Sequence, residues 1–140
     1  MNTQKFTVGT LVGGIAFFLL GYLFYGALLA GFFKSHANPA APMRAMEDFA
    51  WWALILGNFA GGALLTWIFL KMGNVNSFSS GASAGAAIGF FLGLSRDLIT
   101  YATSNELDLT ATITDVIVGT VMTAIVGGII AVVINRGKKA

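Results

Sequence analysis

The chain has 140 residues, which suffices for one domain, and we expect residues 1–140 to form a single transmembrane domain. Hydrophobic residues make up 56% of the sequence and charged residues only 10%, whereas soluble domains carry about 25% charged residues. The composition therefore excludes an ordinary soluble domain and makes the lipid bilayer the expected partner. The net charge of +2 is not concentrated in a basic patch interleaved with aromatic residues, which excludes nucleic-acid binding.

Several kinds of chemistry are also excluded. The sequence contains no cysteine, so disulfides, thiolate metal sites and cysteine nucleophiles are absent. Its one histidine, His36, lies beside Asn38 and Pro39 without a second ligand at metal-binding spacing, so we predict neither a metal site nor a cofactor. Ser95 precedes Arg96 but has no histidine or lysine base nearby, so we predict that the protein is not an enzyme.

The first apolar run, residues 6–33, contains no charged residue and predicts the first membrane span. At 1.5 Å per residue it would extend roughly 42 Å, so we expect it to tilt or to project beyond a hydrocarbon core of about 30 Å. It is about twice as long as the apolar part of a signal peptide, and we interpret it as a retained span. Tyr22 and Tyr25 either anchor it at the interface or face a polar interior, and their depth favours the interior.

Three further spans follow a loop with two prolines, and we predict them at residues 49–70, 79–104 and 110–134. Trp51 and Trp52 open the second span, as is typical of an aromatic belt at the headgroup level. Strict alternation of apolar and polar residues never persists, so no strand pattern competes. The predicted fold class is all-α, an integral membrane four-helix bundle.

Lysine and arginine counts predict the orientation of this bundle. The basic residues expected on one side are Lys5, Lys71, Arg136, Lys138 and Lys139. The other side carries only Lys34 and Arg44. Because basic residues accumulate on the cytoplasmic side, we predict that both termini are cytoplasmic.

Four glycines recur at four-residue spacing in the third span: Gly81, Gly85, Gly89 and Gly93. This glycine-zipper pattern removes side chains from one helix face, so that a neighbouring backbone can approach closely. The neighbour can belong to the same chain or to another copy. Because glycine faces occur on several spans, we favour a homo-oligomer.

Ionisable and polar residues occur at similar predicted depth in all four spans. On an ideal helix Arg96 projects from the glycine face with Asp97 at its flank, and Asp115 enters the fourth span from the same side. The candidate polar cluster consists of Arg96, Asp97, Asp115, Asn58, Tyr22 and Tyr25. It either fixes the register between helices or handles an ion or solute. Its excess carboxylate could be protonated, bind a cation or face a wet cavity.

Three segments resemble an uncharacterised family of small bacterial four-span membrane proteins: residues 21–29, residues 85–93 and Thr114-Asp115-Val116. The resemblance implies four spans in a bacterial inner membrane and no assigned activity. Small multidrug transporters differ, because their essential glutamate lies in the first span, where this chain has no acid. We expect a structural or accessory membrane protein, homo-oligomeric or part of a larger membrane complex. The alternative is a small ion or solute channel or transporter that uses the polar layer.

Overall fold

The computed structural model describes residues 1–136, which form helices joined by loops, with one isolated bridge and no strand. The α-helices are α1 (Thr3–Gly21), α2 (Ala30–His36), α3 (Trp51–Met72), α4 (Phe78–Thr103) and α5 (Leu109–Asn135). A π-helical segment, Tyr22–Leu28, continues α1, and a 3-10 turn spans Met46–Asp48. Four stretches are long and apolar enough to cross a membrane: Thr3–Leu28, α3, α4 and α5. The prediction of an all-helical, multi-pass chain is confirmed.

The first apolar run is not one uninterrupted helix. The π segment Tyr22–Leu28 ends where the Leu29 N–H donates to the Phe24 carbonyl at 2.8 Å, five residues back. Leu29 then leaves helical geometry with φ −115° and ψ 7°, and α2 begins at Ala30. The apolar run continues through this break. Hydropathy depends only on which side chains are apolar, and not on which carbonyl accepts from each backbone N–H.

The ends of the other long helices follow from local chemistry. Gly73, in the left-handed region at φ +71°, ends α3. Ser77 and Ser80 form a reciprocal cap at the start of α4, and the Asp108 carboxylate accepts from the Ala111 N–H at the start of α5. These caps satisfy N–H groups that have no partner within the helix.

Helices α4 and α5 are antiparallel and form the most extensive contact in the molecule. A Cβ atom added at Gly81 would strike the Gly127 carbonyl oxygen, and one added at Gly85 would strike the Thr123 carbonyl oxygen. At Gly89 the Thr123 side chain occupies the equivalent space. Gly81 and Gly85 therefore require glycine because backbone meets backbone, and Gly89 requires it because the Thr123 side chain fills the space. Gly93, the fourth of the series, is looser: its Cβ would lie 3.8 Å from Val116 Cα, an ordinary contact.

The first span packs on α3 and α5 by similar close approach. Gly62 of α3 lies against the Gly13–Gly14 backbone of α1, and Gly9 lies against Thr66 and Ile134. These contacts make α1 antiparallel to both neighbours. Within residues 1–136, α3 and α4 make almost no direct contact, so a cleft separates them above a floor formed by α1 and α5.

The buried apolar core lies at one end of the helices. Its members are Leu65, Phe69, Val75, Val126, Ile130, Ala131 and Ile134. At the same end, the Asn135 amide donates to the Val75 carbonyl at 2.9 Å and ties the α3–α4 turn to α5. At the opposite end, Ala37 pairs with Leu107 and the Asn38 N–H donates to the Glu106 carbonyl at 2.9 Å. Lys138 and Lys139 lie outside the described residues.

Replacing Gly85 by alanine is expected to destabilise the protein by about 1–3 kcal/mol, because the new methyl group overlaps the Thr123 carbonyl oxygen. Gly57→Ala is the matched control, since no described atom other than the neighbouring backbone of its own helix lies within 4 Å of its added Cβ. That control should be neutral or stabilising by up to about 1 kcal/mol, from the higher helix propensity of alanine. Chemical unfolding in detergent measures both values, and equal effects would contradict the close approach of α4 and α5.

Candidate functional site

Four side chains near the loop end of α4 and α5 form one hydrogen-bonded chain, which we call the charge cluster: Tyr25, Asp115, Arg96 and Asp97. The Arg96 guanidinium donates through Nε to Asp97 Oδ1 and through a terminal nitrogen to Asp115 Oδ2, both at 2.8 Å. The Tyr25 hydroxyl donates to the other oxygen, Asp115 Oδ1, in a short hydrogen bond. The charge cluster therefore connects the first, third and fourth spans.

Tyr25 reaches the charge cluster from the π-helical segment. Its ring packs on Phe33 with 5.3 Å between ring centroids, so α2 supports it from beyond the break at Leu29. A π turn is wider than an α turn and shifts the direction of the side chains that follow it. The irregular backbone of the first span therefore coincides with the residue that this span contributes to the cluster.

The two carboxylates belong to the rows of small residues that join α4 to α5. Asp97 continues the four-residue spacing of Gly85, Gly89 and Gly93, and it is buried with Gly81, Gly85 and Gly89. On α5 the same spacing runs back from Gly127 through Thr123 and Gly119 to Asp115. Only 8% of the Asp97 side chain and 13% of the Asp115 side chain are exposed.

Arg96 lies beside this row and not on it, with 73% of its side chain exposed. The sequence predicted the reverse, with Arg96 on the packing face and Asp97 at its flank. The ideal-helix estimate assumed a contact stripe parallel to the helix axis. The actual contact follows the row of residues four apart, which winds around the helix by about 40° per step and reaches Asp97. Extending the glycine spacing by one further step would have found this buried carboxylate.

Two residues predicted for the polar layer lie outside it. Tyr22 is 60% exposed, and its ring lies against Gly26 of the same segment. The Asn58 amide donates to the Leu54 carbonyl of its own helix at 2.7 Å and makes no hydrogen bond to another described span. Both residues were predicted to belong to the polar layer because they lie at a similar depth in their helices. Depth, however, does not determine the direction in which a side chain points.

Two cavities meet at the charge cluster, and Arg96, Asp97 and Asp115 line both of them. The larger, of about 310 Å³, lies in the cleft between α3 and α4. Apart from the cluster its walls are mainly apolar: Phe17, Leu64, Leu65, Ile88, Leu92 and Met122. The smaller, of about 200 Å³, extends toward the α4–α5 loop and is mostly polar: Thr100, Tyr101, Ser104, Glu106 and Thr112.

The charge cluster contains one basic and two acidic side chains, and it can hold a proton or a cation more readily than an anion. Among residues 1–136, no group of three or more histidine, cysteine or acidic residues is arranged to hold a metal ion. No family model matches the chain, and comparisons with curated proteins and with solved structures find no match.

Removing the Tyr25 hydroxyl should weaken the cluster, because the tyrosine makes a hydrogen bond to an acidic acceptor in a largely buried site. Tyr25→Phe is expected to lower the free energy of unfolding by about 1–3 kcal/mol. The matched control is Tyr22→Phe, three residues away and exposed, for which the change should stay within about 0.5 kcal/mol. Unfolding of the two variants in detergent tests the contact, and equal effects would argue against it.

Proposed function

We propose that the protein is a non-enzymatic, multi-pass membrane protein with a structural or accessory role, in which the charge cluster locks three spans together. The observation that supports this role is the hydrogen-bonded chain from Tyr25 through Asp115 and Arg96 to Asp97. The Tyr25–Asp115 and Arg96–Asp115 bonds cross between helices, so separating the helices would expose unpaired polar groups to lipid, which is costly. The cluster opposes both sliding and separation of α4 and α5.

The open cleft supports assembly with a second copy or a larger membrane complex. In a single chain, large apolar side chains of α4 such as Phe91 and Leu92 are exposed beside Arg96. Arg96 lies seven residues from the end of α4, roughly 10 Å along the helix. A charge at that depth favours a polar or protein environment over lipid. A partner against the cleft would cover Arg96, and glycine faces allow such close packing.

A bacterial inner membrane with both termini cytoplasmic is the proposed location. The distribution of lysine and arginine supports this orientation: Lys5, Lys71 and Arg136 fall at the end of the molecule where the apolar core lies, whereas Lys34, in the last turn of α2, and Arg44, in the loop that follows, fall at the other end. The resemblance to small bacterial four-span proteins supports the choice of membrane.

A small ion or solute channel or transporter is the second candidate. The two cavities support it, because both end on Arg96, Asp97 and Asp115 and together extend from the α3–α4 cleft to the α4–α5 loop. A solute moving between them would have to pass the ion pairs. Movement of the exposed Arg96 side chain is the simplest way to open that passage.

A double-mutant cycle on Arg96→Gln and Asp115→Asn tests the structural role. Each single change should cost about 1–3 kcal/mol, less than the 3–5 of a fully buried pair because Arg96 is largely exposed. The double variant should lose less than the sum, by about 0.5–3 kcal/mol of coupling. Lys71→Gln combined with Asp115→Asn is the control and should be additive. Stable single variants that abolish proton or sodium flux in liposomes would favour the transport candidate.

Cysteine cross-linking tests the assembly, because the natural chain has no cysteine. Leu92→Cys, which lines the cleft and is 55% exposed, should form disulfide-linked dimers in oxidised native membranes. Ile117→Cys on α5 is 58% exposed but lines neither cavity, and it should stay monomeric. Cross-linking at Ile117 and not at Leu92 would contradict self-association through the cleft.

A further inference from the structure

The hydrogen bonds of the charge cluster leave one carboxylate oxygen without a donor. Asp115 accepts at both oxygens, from Tyr25 and from Arg96, and Asp97 accepts only at Oδ1. Asp97 Oδ2 is buried and has no hydrogen-bond partner among residues 1–136. Burying an ionised oxygen without a donor is costly, and such groups are normally paired or neutralised.

The net charge of the cluster also indicates that a positive charge is missing beside the two carboxylates. Arg96 contributes one positive charge against two carboxylates, so the fully ionised cluster carries an excess negative charge. Arg96 is within 2.8 Å of both carboxylates, and the described part of the chain places no second cation on them. One added positive charge would therefore neutralise the cluster, and Asp97 Oδ2 is the carboxylate oxygen of the cluster that can take it without disturbing an existing hydrogen bond.

The space around Asp97 Oδ2 determines which kind of cation can bind there. The oxygen has almost no surface open to a water-sized molecule, although Asp97 lines both cavities through its other atoms. A metal ion needs several oxygen ligands around it and would have to displace Arg96 from the carboxylates. A proton needs only the oxygen itself. We propose that the charge cluster is a proton-binding site and that the proton resides on Oδ2 of Asp97.

The surroundings of this site determine the side from which it exchanges protons. The titratable groups that line the two cavities beside Asp97 are Tyr25, Arg96, Tyr101, Glu106 and Asp115. From α3 the larger cavity receives only Gly61, Leu64 and Leu65, none of which titrates. Tyr101 and Glu106 line the polar cavity on the loop side, so the proton enters and leaves by that route. The mainly apolar walls of the larger cavity oppose exchange from the other side.

Protonation is thereby linked to the packing of α4 on α5. The proton is bound in the folded protein and is released when Asp97 becomes hydrated in the unfolded chain. Over the pH range in which the folded protein holds the proton and the unfolded chain has already lost it, stability therefore falls as the pH rises. This linkage holds whether the protein is an accessory subunit or a transporter, because it depends only on the geometry of the cluster.

Infrared spectroscopy of the full-length protein in detergent, prepared with isotope-labelled aspartate, tests the proposal directly. The chain has four aspartates, and of these only Asp97 and Asp115 lie within spanning helices. At neutral pH the wild type should show one label-sensitive carbonyl band of a protonated carboxylic acid. The band should be lost in Asp97→Asn and retained in Asp48→Asn, which alters an exposed aspartate.

A second measurement follows stability against pH in the same variants. From about pH 4, where a hydrated aspartate ionises, up to neutral pH, the wild type and Asp48→Asn should lose stability relative to Asp97→Asn, whose amide replaces the unpartnered oxygen and cannot release a proton. A wild-type spectrum with no protonated aspartate at neutral pH would overturn the proposal, even if Asp97→Asn fails to fold. A band that disappears in Asp115→Asn and persists in Asp97→Asn would overturn its assignment to Asp97.

Discussion

The Arg96 guanidinium holds two carboxylates on two helices, and the arrangement of the spans around the site depends on that interaction. Its two bonds, each 2.8 Å long, connect neighbouring Asp97 with Asp115, which lies nineteen residues away from Arg96 along the chain. In a bilayer, breaking these bonds would leave charged groups with neither water nor a partner. The pairing therefore strongly disfavours other registers of α4 on α5. Tyr25 extends the same constraint to the first span by donating to Asp115.

Close backbone packing and charge pairing belong to one structural feature. The row that brings Gly81, Gly85 and Gly89 against α5 ends at Asp97, and the facing row on α5 ends at Asp115. Because glycine lets the backbones approach, the two carboxylates come within reach of a single arginine. Side chains larger than glycine along the row would separate the helices and leave the charges to be satisfied individually. The ion pairs in turn hold the register in which the glycines meet.

The four spans do not enclose the site evenly. The apolar core occupies the end where Phe69 and Ile130 are buried, and the charge cluster occupies the half nearer the α4–α5 loop. Between α3 and α4 the molecule stays open, which leaves Arg96 exposed beside the larger cavity. A lone chain is thus closely packed where α4 meets α5 and open where α3 faces α4. This asymmetry is the physical basis for proposing both a partner at the cleft and a proton site in the packed interface.

Hydropathy and glycine spacing alone determined that the chain is helical, that four stretches can cross a membrane, and that a close-packing face lies on the third of them. The participation of Arg96, Asp97, Asp115 and Tyr25 was also predicted from sequence, since charges are rare in such spans. Tertiary structure decided which helix meets the glycine row, that Asp97 and not Arg96 is buried, and that Tyr22 and Asn58 point elsewhere. It also decided the break at Leu29. Composition and periodicity indicate which residues lie in a membrane-spanning helix and at what depth. The direction of a side chain depends instead on the path along which two helices contact each other.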